Sequence, residues 1–137
     1  MGDLHLTLPW PVSLNALYRS IIRYRMVKGV KKPFAVPILS AEGRQYQKDA
    51  RLAIRCSPAA GKKMITGPVA LTIYLHPKTK RKYDCDNFVK CIQDALTYCK
   101  VWEDDKQVYI LHVEKRAKNP PGAANVIISE IDVDFVE

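Results

Sequence analysis

Two stretches of this chain change polarity at every residue. From Leu4 to Leu8, the apolar Leu4, Leu6 and Leu8 are separated by His5 and Thr7; from Val69 to Leu75, Val69, Leu71, Ile73 and Leu75 alternate with Ala70, Thr72 and Tyr74. A two-residue period puts one apolar row on one side of an extended backbone, so both stretches predict half-buried strands. Gln107 to Glu114 and Ala124 to Ile131 are rich in β-branched residues and predict two more. Two helical stretches lie between. The first starts at Ser40, a good N-cap, and places Tyr46, Ala50, Ala53 and Ile54 on one face with Arg44, Lys48, Arg51 and Arg55 along another. The second runs from about Asp86 to Cys99, with Phe88, Ile92, Ala95 and Cys99 as its apolar stripe. Proline-rich pieces at 9–11, 33–37 and 119–121 predict loops.

At 137 residues, 47% of them hydrophobic, the chain has room for one ordinary core, and the expectation is one domain spanning 1–137. Met1-Gly2-Asp3 lacks the basic start of a signal peptide, and no apolar run approaches the ~20 residues of a membrane span, so a cytoplasmic protein without membrane contact is expected. Cys56, Cys85, Cys91 and Cys99 show no Cys-x-x-Cys spacing, and His5, His76 and His112 are isolated. These residues predict free, mostly buried thiols and no structural zinc site.

Charge is distributed unevenly. The formal net charge is +8, yet seven of the fourteen acidic residues fall between Asp84 and Glu114. From Arg19 to Lys32 there are six bases and no acid: Arg19, Arg23, Arg25, Lys28, Lys31 and Lys32, interleaved with Tyr24 and Met26 and preceded by Tyr18. Such a segment suits phosphate contacts with aromatic stacking, and equally suits a solvated, mobile loop. A basic protein that gathers carboxylates has the composition expected for drawing in a polyanion and holding a hard divalent cation, which points to a metal-dependent nuclease.

The acidic residues acquire geometry from the predicted elements. If Asp84 to Asp86 is extended, both carboxylates point the same way while Cys85 points inward; a soft thiolate there would be a poor magnesium ligand. Asp86 then opens the second helix, with Lys90 one turn along and Asp94 a further turn on nearly the same face. Asp104-Asp105 follows across a short turn containing Trp102. Each residue also has a plainer reading: Asp86 as an N-cap or as the i,i+4 partner of Lys90, Asp94 as a solvated helix residue, Asp104-Asp105 as a turn. Spacing alone leaves both readings open.

Asp84-x-Asp86-Asn87-x-x-Lys90, Asp94-Ala95-Leu96, then an aromatic and Asp104-Asp105 together resemble the active-site signature of the RusA family of Holliday-junction resolvases. Leu8-Pro9-Trp10-Pro11 with Ser13 and Asn15 resembles that family's opening segment. Ser40-Ala41-Glu42-Gly43-x-x-Tyr46 resembles the start of its first helix. The resemblance covers Leu4 to about Ile131 in the family's order. It implies an α+β fold, with a small mixed four-stranded sheet and two main helices in a single domain. It also implies a homodimer, a bacterial host with frequent phage or prophage origin, and Mg²⁺ as cofactor, with Mn²⁺ as a substitute and no organic cofactor. Asp84, Asp86 and Asp105 would be the metal-binding catalytic carboxylates and Lys90 the catalytic lysine, with Asp94 and Asp104 in support. One departure is the 19–37 stretch, longer here than the family's short basic loop.

The expected activity is hydrolysis of DNA phosphodiesters at a four-way junction by paired symmetric nicks. Arg19, Arg23, Arg25, Lys28, Lys31 and Lys32, with Arg44, Lys48, Arg51, Arg55, Lys80, Arg81 and Lys82, would form the DNA-binding rim. The alternatives are a metal-dependent nuclease acting on another branched or RNA substrate, and a non-catalytic nucleic-acid-binding module.

Overall fold

The computed structural model describes residues 2–134. The sheet has four strands in the order β1-β6-β4-β5: β1 (Leu4–Pro9), β4 (Val69–His76), β5 (Val108–Lys115) and β6 (Ala123–Glu130). β6 runs antiparallel to both β1 and β4, whereas β5 runs parallel to β4. A parallel pair needs a crossover. Here α3 (Val89–Tyr98) supplies it, entered through a 3-10 turn at Cys85–Phe88 and left through a second at Asp105–Gln107.

The alternation seen in the sequence is the burial pattern of the sheet. Leu6, Leu8, Val69, Leu71, Ile73, Leu75, Ala124, Val126 and Ile128 all face one buried side, where Tyr46, Ala50 and Ile54 of α2 (Ala41–Arg55) and Ile92, Ala95 and Leu96 of α3 cover them. Trp102 is fully buried in the same cluster. The expected α+β architecture, with a mixed four-stranded sheet and two main helices, is the one observed, and the four predicted strands lie within a residue of their observed bounds. Helix two departs in detail, because its first turn is 3-10 and its α-helical part starts only at Val89.

The larger difference lies between Leu17 and Ser40. A one-turn helix, α1 (Leu14–Leu17), leads into β2 (Tyr18–Val27), which pairs antiparallel with β3 (Val30–Leu39) over ten residue pairs from Tyr18↔Leu39 to Val27↔Val30. Neither a mobile loop over 19–32 nor a proline loop at 33–37 is present. The turn carries positive φ at Lys28 (52°) and Gly29 (77°), the pair of left-handed residues that a two-residue hairpin of matching twist requires. Pro33 and Pro37 are tolerated because a two-stranded ribbon has only edges. Spaced by four, they fall on the same outward-facing phase, where no ladder N–H is missed.

Both ends of this ribbon are tied at Ser40. Its backbone N–H donates to Leu17 O (2.9 Å), its hydroxyl donates to Ala16 O (2.7 Å), and the Gly43 N–H donates to that same hydroxyl (3.0 Å) as the predicted N-cap bond. Gly43 lets α2 approach this closely, since a Cβ there would lie 2.9 Å from Leu17 O and from Leu39 Cδ1. All four cysteines are free as expected, but only Cys91 is buried; Cys85 and Cys99 are half-buried and Cys56, just past the end of α2, is exposed.

Candidate active site

Three separate elements bring polar groups to one cleft of ≈ 430 Å³: the first residue of β2, the solvent edge of α3, and the turn before β5. Lys90 stands at its centre. Its Nζ lies 2.9 Å from Asp94 Oδ1, one helical turn on, and 3.3 Å from Asp105 Oδ2, fifteen residues on. The Tyr18 hydroxyl donates to the other oxygen of Asp94. A cation between two carboxylates is held charged: the hydrogen bond to Asp94, first, and the charges of Asp94 and Asp105 raise the Lys90 pKa above its ordinary value against the opposing effect of burial. The Tyr18 hydroxyl is pushed up to about 12, by burial first and then by its bond to Asp94, and therefore remains a donor.

The turn that delivers Asp105 is fixed by its neighbours. Asp104 caps it, accepting from the Lys106 N–H at 2.9 Å, and that bond first, with its neighbours, holds the Asp104 carboxyl below the usual range. Gln107 closes the reciprocal half: its Oε1 accepts from the N–H groups of Glu103 and Asp104 (2.8 Å each), while its Nε2 donates to Ile65 O (3.0 Å) and Gly67 O (2.9 Å). The loop is thereby latched to the segment leading into β4. Below it, the Trp102 Nε1–H donates to Thr97 Oγ1 at 2.7 Å.

Asp84 and Asp86 sit differently. Asp84 is extended (φ −91°, ψ 130°), but the chain turns at Cys85, so the alternation argument reaches Asp84 only. Its segment is pinned by three rings, with Trp10 5.5 Å from Tyr83 and 4.9 Å from Phe88 between centroids. Asp84 lines a second cleft beside Lys78, Arg81 and Lys82. Asp86 is exposed, and Lys90 pairs with Asp94 and Asp105 in its place. Neither Asp84 nor Asp86 makes a side-chain capping bond, so the capping reading of Asp86 is not realised, whereas Asp104, read from the sequence as part of a turn, caps the one it opens.

Carboxylate oxygens are the donors a hard cation prefers, so Asp84, Asp86 and Asp105 have the right chemistry for magnesium. Among the described residues, however, no three or more His, Cys, Asp or Glu side chains are already gathered closely enough to hold an ion. The carboxylate of Asp105 is turned to Lys90, which occupies the position of positive charge in the cleft.

The predicted basic residues fall in three places. Arg19, Arg23, Arg25, Lys28, Lys31 and Lys32 are exposed on the ribbon, and Lys80, Arg81 and Lys82 are exposed beside Asp84. On α2, Lys48 and Arg55 are exposed. Arg44 is engaged with Leu39 O (2.8 Å), and Arg51 stacks over Tyr98 at 4.4 Å. Sequence reasoning missed Lys115 and Arg116, which share a cleft with Lys80 to Lys82 and lie over Tyr83 (4.7 Å) and Tyr74 (4.2 Å). It also missed Tyr18 and Gln107. Gln107 was findable, since Asp104-x-x-Gln107 is a capping-box pattern; Tyr18, 76 residues from Asp94, left no local signal.

Residues 23–129 match the family model described as Endodeoxyribonuclease RusA. The chain is 33% identical over 132 residues to the crossover junction endodeoxyribonuclease rusA of Enterobacteria phage 82, covering 96% of this chain and 98% of that protein. The crossover junction endodeoxyribonuclease RusA of Escherichia coli (strain K12) is 33% identical over the same shares, and that of Shigella sonnei (strain Ss046) 32%.

Proposed function

The chain belongs to the endodeoxyribonuclease RusA family, and from that premise we propose that it resolves four-way DNA junctions by divalent-metal-dependent hydrolysis, as a homodimer making two symmetric nicks. The observation that carries this reading is the Lys90 cluster, in which a charged lysine shares two carboxylates at the foot of a basic ribbon. A pocket of carboxylates alone would repel phosphate; here the surrounding bases hold the polyanion and Lys90 lies where it enters.

In this reading Asp84, Asp86 and Asp105 hold magnesium, or manganese in its place. Polarisation of the scissile phosphate and acidification of a water are the chemistry such an ion supplies when bound. Lys90, kept protonated, faces the charge that develops on the phosphate oxygens. Asp94 and Tyr18 aim the Lys90 ammonium, and Asp104 with Gln107 holds the backbone that presents Asp105. Residues 1–137 act as one RusA-like endonuclease domain, in the cytoplasm of a bacterial host where its DNA substrate lies. Among the described residues no helix is long and apolar enough to cross a membrane.

The test is incubation with a synthetic mobile four-way junction, a matched duplex and a single strand, each with Mg²⁺ or chelator. The reading expects paired incision of the junction only, and only with metal. Equal cutting of a flap or an RNA hairpin would favour a nuclease of other choice. Junction binding without any cutting would favour a binding module.

A further inference from the structure

We infer that the β2–β3 ribbon is a duplex-reading arm. It lies along one arm of a branched DNA and makes its phosphate contacts within about one helical turn of the Lys90–Asp105 cleft. The inference rests on the junction-nuclease reading and extends it by naming the surface, its reach and the DNA element it takes.

Cross-strand partners share a side of the ribbon. One side carries Arg19, Arg23, Arg25 and Lys32, Arg25 being paired with Lys32 and stacked 5.2 Å over Phe34. No acid occurs from Leu4 to Ala41, and among the described residues none of the ribbon's cations enters an ion pair. Four unneutralised cations in a row are a surface for a polyanion. A second copy of this chain is a poor occupant: a two-fold contact would set each row of cations against its like.

The shape agrees with the charge. Beyond its root the ribbon packs against little but itself, and a two-stranded antiparallel ribbon is a form the DNA major groove admits. Ten residues per strand extend about 33 Å at ~3.3 Å each. One turn of B-DNA is about 34 Å. The root is fixed relative to the cleft, since Tyr18, the first residue of β2, bonds Asp94 and Ser40 at the end of β3 bonds Leu17. The arm therefore measures from the cutting site.

The experiment uses the full chain and two variants. The charge variant is Arg19→Gln/Arg23→Gln/Arg25→Gln/Lys32→Gln, which keeps every ladder bond. In the shortened variant Ile22–Ala35 is replaced by Asn-Gly, which closes the Ile21↔Val36 pair with a tight turn. Folding is checked by circular dichroism. Affinity for junctions with arms of about 5, 10, 15 and 20 base pairs is measured by fluorescence anisotropy, in chelator and over a salt series.

The wild type should bind more tightly as arms lengthen to ~10 base pairs and then level off. Both variants should lose that dependence, and the charge variant should lose up to ~3.6 from the log–log salt slope, ~0.9 for each of four contacts. Equal length dependence and slope in all three proteins would overturn the inference. So would unchanged DNA affinity with an altered monomer–dimer equilibrium on sedimentation, which would make the ribbon a contact between copies. Cutting of the long-armed junction in Mg²⁺ is scored separately: length-dependent binding without cutting would sink the nuclease reading and leave the arm standing.

Discussion

Replacing Gln107 tests how the fold places Asp105. One side chain makes four hydrogen bonds there, two accepted from Glu103 and Asp104 and two donated to Ile65 and Gly67. At ~0.5–1.5 kcal/mol net each, their sum would be about 2–6 kcal/mol. Glu103 and Asp104 are exposed and their N–H groups can return to water, so the low end applies and Gln107→Ala should cost about 2–3 kcal/mol. Against a total stability of ~5–15 kcal/mol, that moves the urea midpoint down by roughly 1 M at an unchanged slope. Gln107→Glu keeps the acceptors but turns an oxygen toward two carbonyls. The introduced carboxylate should titrate above the usual ~4.3, and the penalty should shrink as pH falls through that raised value, because protonation restores a donor. Cleavage should fall in both variants while junction affinity, carried by the ribbon, holds. A Gln107→Ala protein within ~0.5 kcal/mol of wild type, or one cutting at the wild-type rate, would refute the latch.

Gly43→Ala should destabilise by up to about 2 kcal/mol in the same urea assay. The overpacking cost of ~1–3 kcal/mol against Leu17 O exceeds the ~1 kcal/mol gained in helix propensity, and a net stabilisation would contradict the close approach. Stability should drop as pH rises from 10.0 toward about 12, because Tyr18 and Lys90 both have raised values in the fold and the unfolded chain loses its protons first; Tyr18→Phe should flatten part of that drop in thermal melts, and an unchanged curve would contradict the half-buried Tyr18–Asp94 bond. A doubly tagged heterodimer of wild type and Asp86→Asn should nick a supercoiled cruciform plasmid to the relaxed circle; efficient linearisation would count against independent sites, and inactivity would indicate a site shared between chains.

What could be read in the sequence depended on how locally each feature is encoded. The strand of Val69 to Leu75 was legible because one of its faces is wholly buried, so its period survives in composition. The ribbon was not, although Arg23-Tyr24-Arg25-Met26 alternates too: both its faces meet solvent, its turn is Lys28-Gly29 in place of the stronger Asn-Gly signal, and Pro33 and Pro37 read as loop. In the site, Lys90 and Asp94 were legible as one helical turn. The placing of Asp105 against Lys90 depended on β5 lying parallel beside β4, a tertiary fact. The period-two argument at Asp84 and Asp86 failed because a 3-10 turn starts between them.

Single-turnover cleavage of a four-way junction by Asp105→Asn tests whether the Lys90–Asp105 cleft is where DNA is cut. The substitution is nearly isosteric and keeps an oxygen toward Lys90, so the fold and the ribbon are untouched, and a junction-binding assay in chelator confirms this. Cutting at saturating Mg²⁺ should slow by at least ~10–100-fold, with binding preserved. A folded Asp105→Asn protein that cuts within a few-fold of wild type would contradict the assignment of this cleft as the cutting centre.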